Sequence, residues 1–386
     1  MGGALVVVGA VALGAIVLAL TNADEARDRA PIANGPPGAK DTITTTLLFG
    51  TREEEGNQGG AVWLALASFD SERERGALVY VPAHTAAEIP GRGLLGVGDA
   101  LATGGVPLLL SSTENLMGID IDRYVELSDS DARVLFNAIG PLSVDVPDEV
   151  RVPAGRNQAR LLFTPGLQRI APQFLVRLLY VVGIDGDDAE LGSRHLALWD
   201  ALFETFVDDP QGLGRAVRGA GEALSESNAD SSQHADLFTA LAALESEDRA
   251  LAALPVQQIT PPGGEELYQA DADEIAAFVA EIVGPESVAA DEIEVQILNG
   301  NGVPGIGQEV ARRLISHGFR VLLTGNAQRL DYKTTLIVTY DSTPQGQAVA
   351  KRAKELLGVG EVQVSAQRQG IVDLTIVVGR DFLRAR

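Results

Sequence analysis

The sequence predicts an α/β protein in two parts: a mixed-sheet α/β sandwich behind an apolar N-terminal helix, then a small βαββαβ domain. Three observations carry this. Residues 4–20, ALVVVGAVALGAIVLAL, hold no charged or polar side chain. From residue 42 onward, β-branched and apolar runs alternate with stretches of helical periodicity, the signature of a sheet covered by helices. Past an acidic stretch ending near Asp291, the alternation restarts over residues 292–381, in the order expected of a split βαβ sandwich.

The elements follow in order. At ~1.5 Å per residue the apolar run spans about 25 Å. With Gly2, Gly3 and Thr21 it reaches a hydrocarbon core of ~30 Å. A helix buried in a globular core would keep a polar face, and this one has none. The reading is a transmembrane anchor over 1–21, with a cleaved signal peptide as its competitor. Asn22-Ala23-Asp24 is a poor cleavage site. No Lys/Arg cluster precedes the segment, so charge gives no orientation; the expectation is a single-pass membrane protein with its bulk extracytoplasmic. Residues 22–41, charged and then rich in Pro and Gly, read as a juxtamembrane stalk. TITTTLLFG (42–50), AVWLALASFD (61–70) and GALVYVPAH (76–84) read as strands. Residues 94–118 read as two helices broken at Gly104-Gly105. RYVELS (123–128) is a strand, DSDARVLFNAIG (129–140) a helix, and LSVDVP a strand. Helices are expected over 172–183, 190–207 and, in DLFTALAALESEDRALAAL, over 236–254. The first domain is placed at 42–284, a linker at 285–291 and the second domain at 292–381.

Composition limits function. The chain has 386 residues, 53 acids against 30 bases and a net charge of −23. Such an acid excess repels phosphate backbones, so nucleic acid is not an expected partner. The absence of cysteine excludes thiolate metal sites, disulfides and cysteine nucleophiles. The four histidines, at 84, 195, 234 and 317, are too far apart in sequence to suggest a histidine metal site.

One stretch resembles a nucleotide loop. In VQILNGNGVPGIGQEVARRL (295–314), Gly300, Gly302 and Gly305 spell G-x-G-x-x-G between a strand and a helix. A dinucleotide loop also needs an acidic side chain about 20 residues on, to hold the ribose. The next strand offers Thr324, Asn326 and Gln328, and Asp331 lies past its end. Pro304 removes a backbone donor. The reading is a tight strand-to-helix turn at Asn299, Gly300, Gly302 and Gly305, in which glycine supplies the unusual φ angles.

The same stretch, continued through HGFRV, TTLIVTY and AVAKRAKELLG, resembles the C-terminal domain of LytR-type proteins of the LytR–CpsA–Psr family. The front of the chain is similar to the same family. LLFG (47–50) resembles its first strand, and LVYVPAHTAAEIPGRG (78–93) its LSIPRDTxVxIPGxG segment. LMGIDIDRYVELSDSDARVLFNAIGPLSVDVP (116–147) resembles LLGIxIDYYVxVDFxGFxxLVDALGGVxVDVP. The resemblance implies an α/β domain that attaches glycopolymers to the cell wall from polyprenyl-pyrophosphate carriers, using Mg²⁺, arginines and aspartates. A pyrophosphate carries several negative charges, which is why such a site needs Arg or Mg²⁺, and Mg²⁺ needs carboxylates.

Much of that set is absent. The Arg-Asp after the proline is Ala83-His84, the first-strand Asp falls near Arg52, and GGAV (59–62) replaces Arg-Ser-Asp-Thr. LLYVVGID (178–185) lacks the paired arginines. Asp188 and Arg194 match the family's D-x-x-R-x-x-R-Q, but Leu191 and His195 replace its middle Arg and its Gln. No catalytic or metal-ligating residue is therefore assigned. Arg52, Arg92 and Arg194 are the candidates for holding an anionic group. His84 reads as a satisfied residue rather than a base, and Asp187 and Asp188 as a solvated turn. The expected function is a membrane-anchored, non-catalytic scaffold or ligand-binding relative of the glycopolymer transferases, with the membrane and a polyprenyl-phosphate lipid or cell-wall glycopolymer as partners. The alternative is an active phosphotransferase, which would need Mg²⁺. A transcription regulator is opposed by the acidic charge, the anchor and the lack of a basic recognition helix.

Overall fold

The computed structural model describes residues 42–385 except 53–58, 90–91, 156–157, 185, 225, 260–266, 285–292, 316 and 366–371, and the side chains of 222–223. The predicted anchor (1–21), the stalk up to residue 41 and the linker (285–291) lie outside the described residues. Among the described residues no helix is long and apolar enough to cross a membrane.

The first part contains β1 (Ile43–Thr51), β2 (Trp63–Asp70), β3 (Arg75–Val81), β4 (Ala86–Ile89), β5 (Gly93–Gly96), α1 (Asp99–Met117), β6 (Arg123–Ser128) and α2 (Asp129–Ile139). It continues through β7 (Leu142–Val146), β8 (Val150–Pro153), β9 (Ala159–Phe163), β10 (Gly166–Ile170), α3 (Pro172–Tyr180), α4 (Asp188–Phe206), α5 (Pro210–Gly219) and α6 (Ser231–Ala243). It closes with β11 (Arg249–Ala253), β12 (Gln257–Ile259), β13 (Leu267–Gln269) and α7 (Ala272–Ile282).

The main sheet has the order β11-β3-β2-β1-β6. β1, β2 and β3 pair antiparallel, while β6 and β11 add parallel edges. Side chains alternate across a strand, and here both faces are buried. Leu48, Trp63, Ala65, Leu78 and Tyr80 enter one core with α3, α4 and α6. Leu47, Phe49, Leu64, Leu66, Val79 and Val81 enter the other with α1 and α7. That is why the strands read as near-continuous apolar runs. Gly50 has a steric reason: a Cβ there would come within 1.9 Å of Trp63 Nε1 across the β1–β2 pair. The predicted break in 94–118 is real. Gly104 (φ −150°, ψ 19°) and Gly105 (φ +69°, ψ −169°) both leave helical geometry, so α1 is two helical stretches that meet at a kink there; residues 93–96 form β5 instead of helix.

The helix expected over 236–254 is corrected. α6 stops at Ala243, and 249–253 turns back as strand β11 beside β3. The reason lies in Arg249. Its buried guanidinium donates to Leu241 O (3.2 Å) and Leu244 O (2.7 Å), satisfying carbonyls that end a helix, and pairs with Glu204 at 2.8 Å.

The second part contains β14 (Ile293–Asn299), α8 (Ile306–Ile315), β15 (Phe319–Asn326), β16 (Leu336–Thr339), α9 (Pro344–Leu357), β17 (Glu361–Val364) and β18 (Leu374–Val378). The βαββαβ expectation is corrected by one strand, β17. The sheet order is β15-β14-β18-β16-β17. Each β-α-β unit is a parallel pair of neighbours, and β18 joins the two, parallel to β14 and antiparallel to β16. A split βαβ sandwich would separate those pairs. The expected caps of α9 are present: Thr343 accepts from Gly346 N, Pro344 follows, and Gly358 ends the helix at φ +73°.

Candidate functional site

The carboxyl ends of β1 and β3, the end of α3 and the start of α4 meet at one end of the main sheet, and the sequence-predicted groups gather there. α3 is started by Pro172 and ends at Tyr180, leaving carbonyls without helical donors. Three side chains fill them in succession. His195 Nε2 donates to Leu179 O at 3.0 Å, Arg52 Nη2 to Tyr180 O at 2.6 Å, and Arg194 Nη2 to Val181 O at 2.9 Å. Cationic groups at a helix C-terminus also suit its partial negative charge. Arg194 is 1% exposed, and its Nη1 pairs with Asp148 Oδ2 at 2.7 Å. The structure thus brings Arg52 and Arg194 together, both used in terminating α3. Arg92 stands apart, exposed in the β4–β5 turn, with its backbone N–H donating to Ile89 O.

The imidazole of His195 is wholly enclosed. Its ring lies 5.0 Å from Trp63 and 4.8 Å from Tyr80, centroid to centroid. Burial pushes its pKa down to about 3, against a smaller opposing effect of the Leu179 hydrogen bond. It is a neutral donor in the interior.

His84 and Asp188 form the pair that sequence reasoning missed. Asp188, read as part of a solvated turn, is 6% exposed. Its Oδ2 accepts from His84 N (3.1 Å) and from His84 Nδ1 (2.7 Å). The imidazole is half-exposed. Asp187 is the N-cap of α4, accepting from Glu190 N at 2.9 Å. Tyr268 N donates to His84 O, and burial with the Asp187 and Asp188 carboxylates pushes the Tyr268 phenol up to about 12. The two partners lie 104 positions apart. The only signal was that each matches a chemically charged position of the family pattern.

The glycine-rich turn after β14 is closed on itself. Asn299 Oδ1 accepts from Asn301 N (3.1 Å) and Gly302 N (2.9 Å), and Asn301 Oδ1 accepts from Val303 N (2.9 Å). Gly302 and Gly305 take φ +78° and +76°, and a Cβ on Gly300 would approach Val378 O to 2.9 Å. The backbone donors that would cradle a phosphate are occupied by asparagine side chains, which is the turn reading of Asn299, Gly300, Gly302 and Gly305.

Residues 20–176 match the model of the LytR_cpsA_psr family, and residues 292–382 match the model described as LytR cell envelope-related transcriptional attenuator. The chain carries a LytR–CpsA–Psr domain followed by a LytR C-terminal domain. It is thereby a cell-envelope-related protein. No curated protein matches it in sequence. Among solved structures, TagV from B. subtilis is similar at a TM-score of 0.52 and 16% identity, over 63% of this chain and 98% of that one. Protein gbs0355 from Streptococcus agalactiae is similar at 0.52 and 12%, over 65% and 90%. At such identities the likeness is one of fold.

The LytR–CpsA–Psr resemblance implies Mg²⁺, and the described residues do not fit it. Asp188 Oδ2 is taken by His84, Asp187 caps a helix, and no group of three or more His, Asp or Glu among the described residues is arranged to hold a metal ion. A hard divalent cation needs several oxygen ligands at once.

Proposed function

We propose that this LytR–CpsA–Psr protein is a non-catalytic envelope scaffold or ligand-binding protein, held at the membrane by residues 4–20 with its folded bulk outside. The observation that carries this is the use of Arg52 and Arg194 to close α3. The Arg194 guanidinium, at 1% exposure and bonded through Nη1 to Asp148 and through Nη2 to Val181 O, is withdrawn from the surface at which a pyrophosphate would bind. The cell-envelope description of the C-terminal family and the acidic charge both fit an envelope role without nucleic acid.

The test is binding of a polyprenyl pyrophosphate to the full chain, with and without Mg²⁺, for the native protein and Arg194→Leu. The expected result is binding indifferent to Mg²⁺, or none. The variant should lose stability, by ~2–4 kcal/mol in thermal or denaturant unfolding, because Asp148 and Val181 O lose their partner. Mg²⁺-dependent binding that disappears in the variant would overturn the proposal.

A second reading is favoured by the His84–Asp188 pair. A carboxylate that fixes an imidazole by Nδ1 is the arrangement of a general base, and it stands where the family has its Arg-Asp. An active phosphotransferase with a relocated base predicts transfer of glycopolymer from the carrier that His84→Ala abolishes while the fold is kept.

A further inference from the structure

Residues 150–184 contain Arg151, Arg156, Arg160, Arg169 and Arg177 and no Asp, Glu or Lys, in a chain of net charge −23. The same segment exposes apolar side chains: Leu161 43%, Leu167 75%, Phe174 43%, Val182 36% and Ile184 49%. These are five of the nine large apolar residues exposed among the described residues. Exposed apolar side chains that adjoin one another mark interaction sites.

Within each element the two kinds of side chain occur together. In the β7–β10 ribbon, Gly166, Gln168 and Ile170 lie opposite the buried Val146, Val144 and Leu142, so Leu167 and Arg169 share the outer face. In the β8–β9 ribbon, Leu161 lies opposite Arg151, and Ile184 N donates to Arg151 O at 2.9 Å, tying the chain after α3 to this ribbon. On α3, the Arg177 guanidinium lies 5.9 Å from the centre of the Phe174 ring. Acids adjoin the surface as well: Glu149, paired with Arg151 at 2.6 Å, Asp145, opposite Leu167, and Asp148, held on Arg194. Arg169 has no acidic partner among the described residues, and Arg160, opposite Val152, turns to the other side of the β8–β9 ribbon.

We propose that the exposed sides of the two ribbons and α3 act together and dock on the anionic surface of a lipid bilayer. Arginines beside protruding Leu, Phe and Ile side chains suit the boundary between headgroups and acyl chains: the charges meet lipid phosphates, and the apolar groups enter the layer beneath. A soluble acidic polymer would use the arginines and leave Leu167 in water, which is why the bilayer is favoured. The inference does not depend on whether the domain is catalytic.

The absence of cysteine gives a direct test. Leu167→Cys in the full chain takes a single environment-sensitive fluorophore at an exposed site, and Lys351→Cys on α9 serves as the reference. The chain is reconstituted into vesicles of phosphatidylcholine with or without phosphatidylglycerol, free of polyprenyl lipid. The expected result is a blue shift at position 167 and quenching by a lipid-phase quencher several-fold stronger than at 351, only with phosphatidylglycerol. Both effects should be lost on adding Arg151→Glu and Arg169→Glu. A label that stays as water-accessible as the reference overturns the proposal. So does a blue shift that persists without anionic lipid or survives charge reversal. A label shielded by soluble poly(glycerol phosphate) but not by vesicles would assign the face to a polymer instead.

Discussion

His195 shows how one substitution changes the physics of a site. The family pattern has a glutamine there; here an imidazole donates to Leu179 O between Trp63 and Tyr80. Burial depresses its pKa from 6.5 to about 3. The native state therefore keeps it neutral, while the unfolded chain takes up a proton as pH falls below 6.5. Stability from this group is full above pH 6.5 and drains away between 6.5 and about 3, with a ceiling of roughly 5 kcal/mol. His195→Gln keeps a donor for Leu179 O without a titrating group. Its melting temperature should fall less between pH 7 and pH 4.5 than that of the native chain. Equal losses in both would show that His195 does not set the acid limit. Asp188 and Arg194 make the same point in another way: residue type was readable from the sequence, but whether a charge faces solvent or a partner was not.

At the scale of elements, legibility followed periodicity. The strands of 42–84 and the helix of 129–140 announced themselves by apolar pattern, and Ser128 with Asp131 does form a capping box at the start of α2. β11 was hidden because Leu and Ala in RALAALP fit a helix equally well; only the distant Glu204 and the ends of α6 fix Arg249 in place. β17, EVQV, is short and mostly exposed at a sheet edge, so no buried face marked it. The opposite edge, β15, is covered by means that no pattern shows. Asn115 at the end of α1 donates Nδ2–H to Val321 O (2.9 Å) and accepts from Val321 N at Oδ1 (2.7 Å), imitating a rung of β-ladder. Glu88 on β4 accepts from Thr324 N (3.1 Å) and Oγ1 (2.5 Å). Covering an edge in this way blocks pairing with other chains. Asn115→Ala should leave two buried backbone groups unpaired, at a cost of ~2–4 kcal/mol to that contact. Amide exchange at Val321 should accelerate accordingly while Ile297, inside the sheet, keeps its protection. Unchanged exchange at Val321 would mean that the ladder mimic contributes little.

At the scale of the molecule, the described residues belong to one compact unit, so this seam links the two family domains within a single body. The seam carries buried acid. Glu114 lines a crevice with Asn115, Ile315, Phe319 and Arg320. Burial pushes its pKa up to about 7, helped by Asp120 and Asp122 and opposed by the hydrogen bond from Ile121 N. Burial likewise raises Glu88, against its bonds from Thr324. For a carboxyl raised in the folded state the sign is the reverse of the usual case. The native protein holds a proton that the unfolded chain releases above about 4.5, so stability is full below that pH and drains away as pH rises toward 7. The ceiling for Glu114 is roughly 3 kcal/mol. The self-repulsion of a chain at −23 acts in the same direction. Set against His195, which loses stability on the acid side, these groups predict a maximum in mildly acidic solution. Glu114→Gln keeps an acceptor for Ile121 N and removes the titration. Its melting temperature should decline less than that of the native chain between pH 5 and pH 8, and amide exchange along β15 should become less sensitive to pH. If native chain and variant decline in parallel, the dependence belongs to net charge and the seam is not its source.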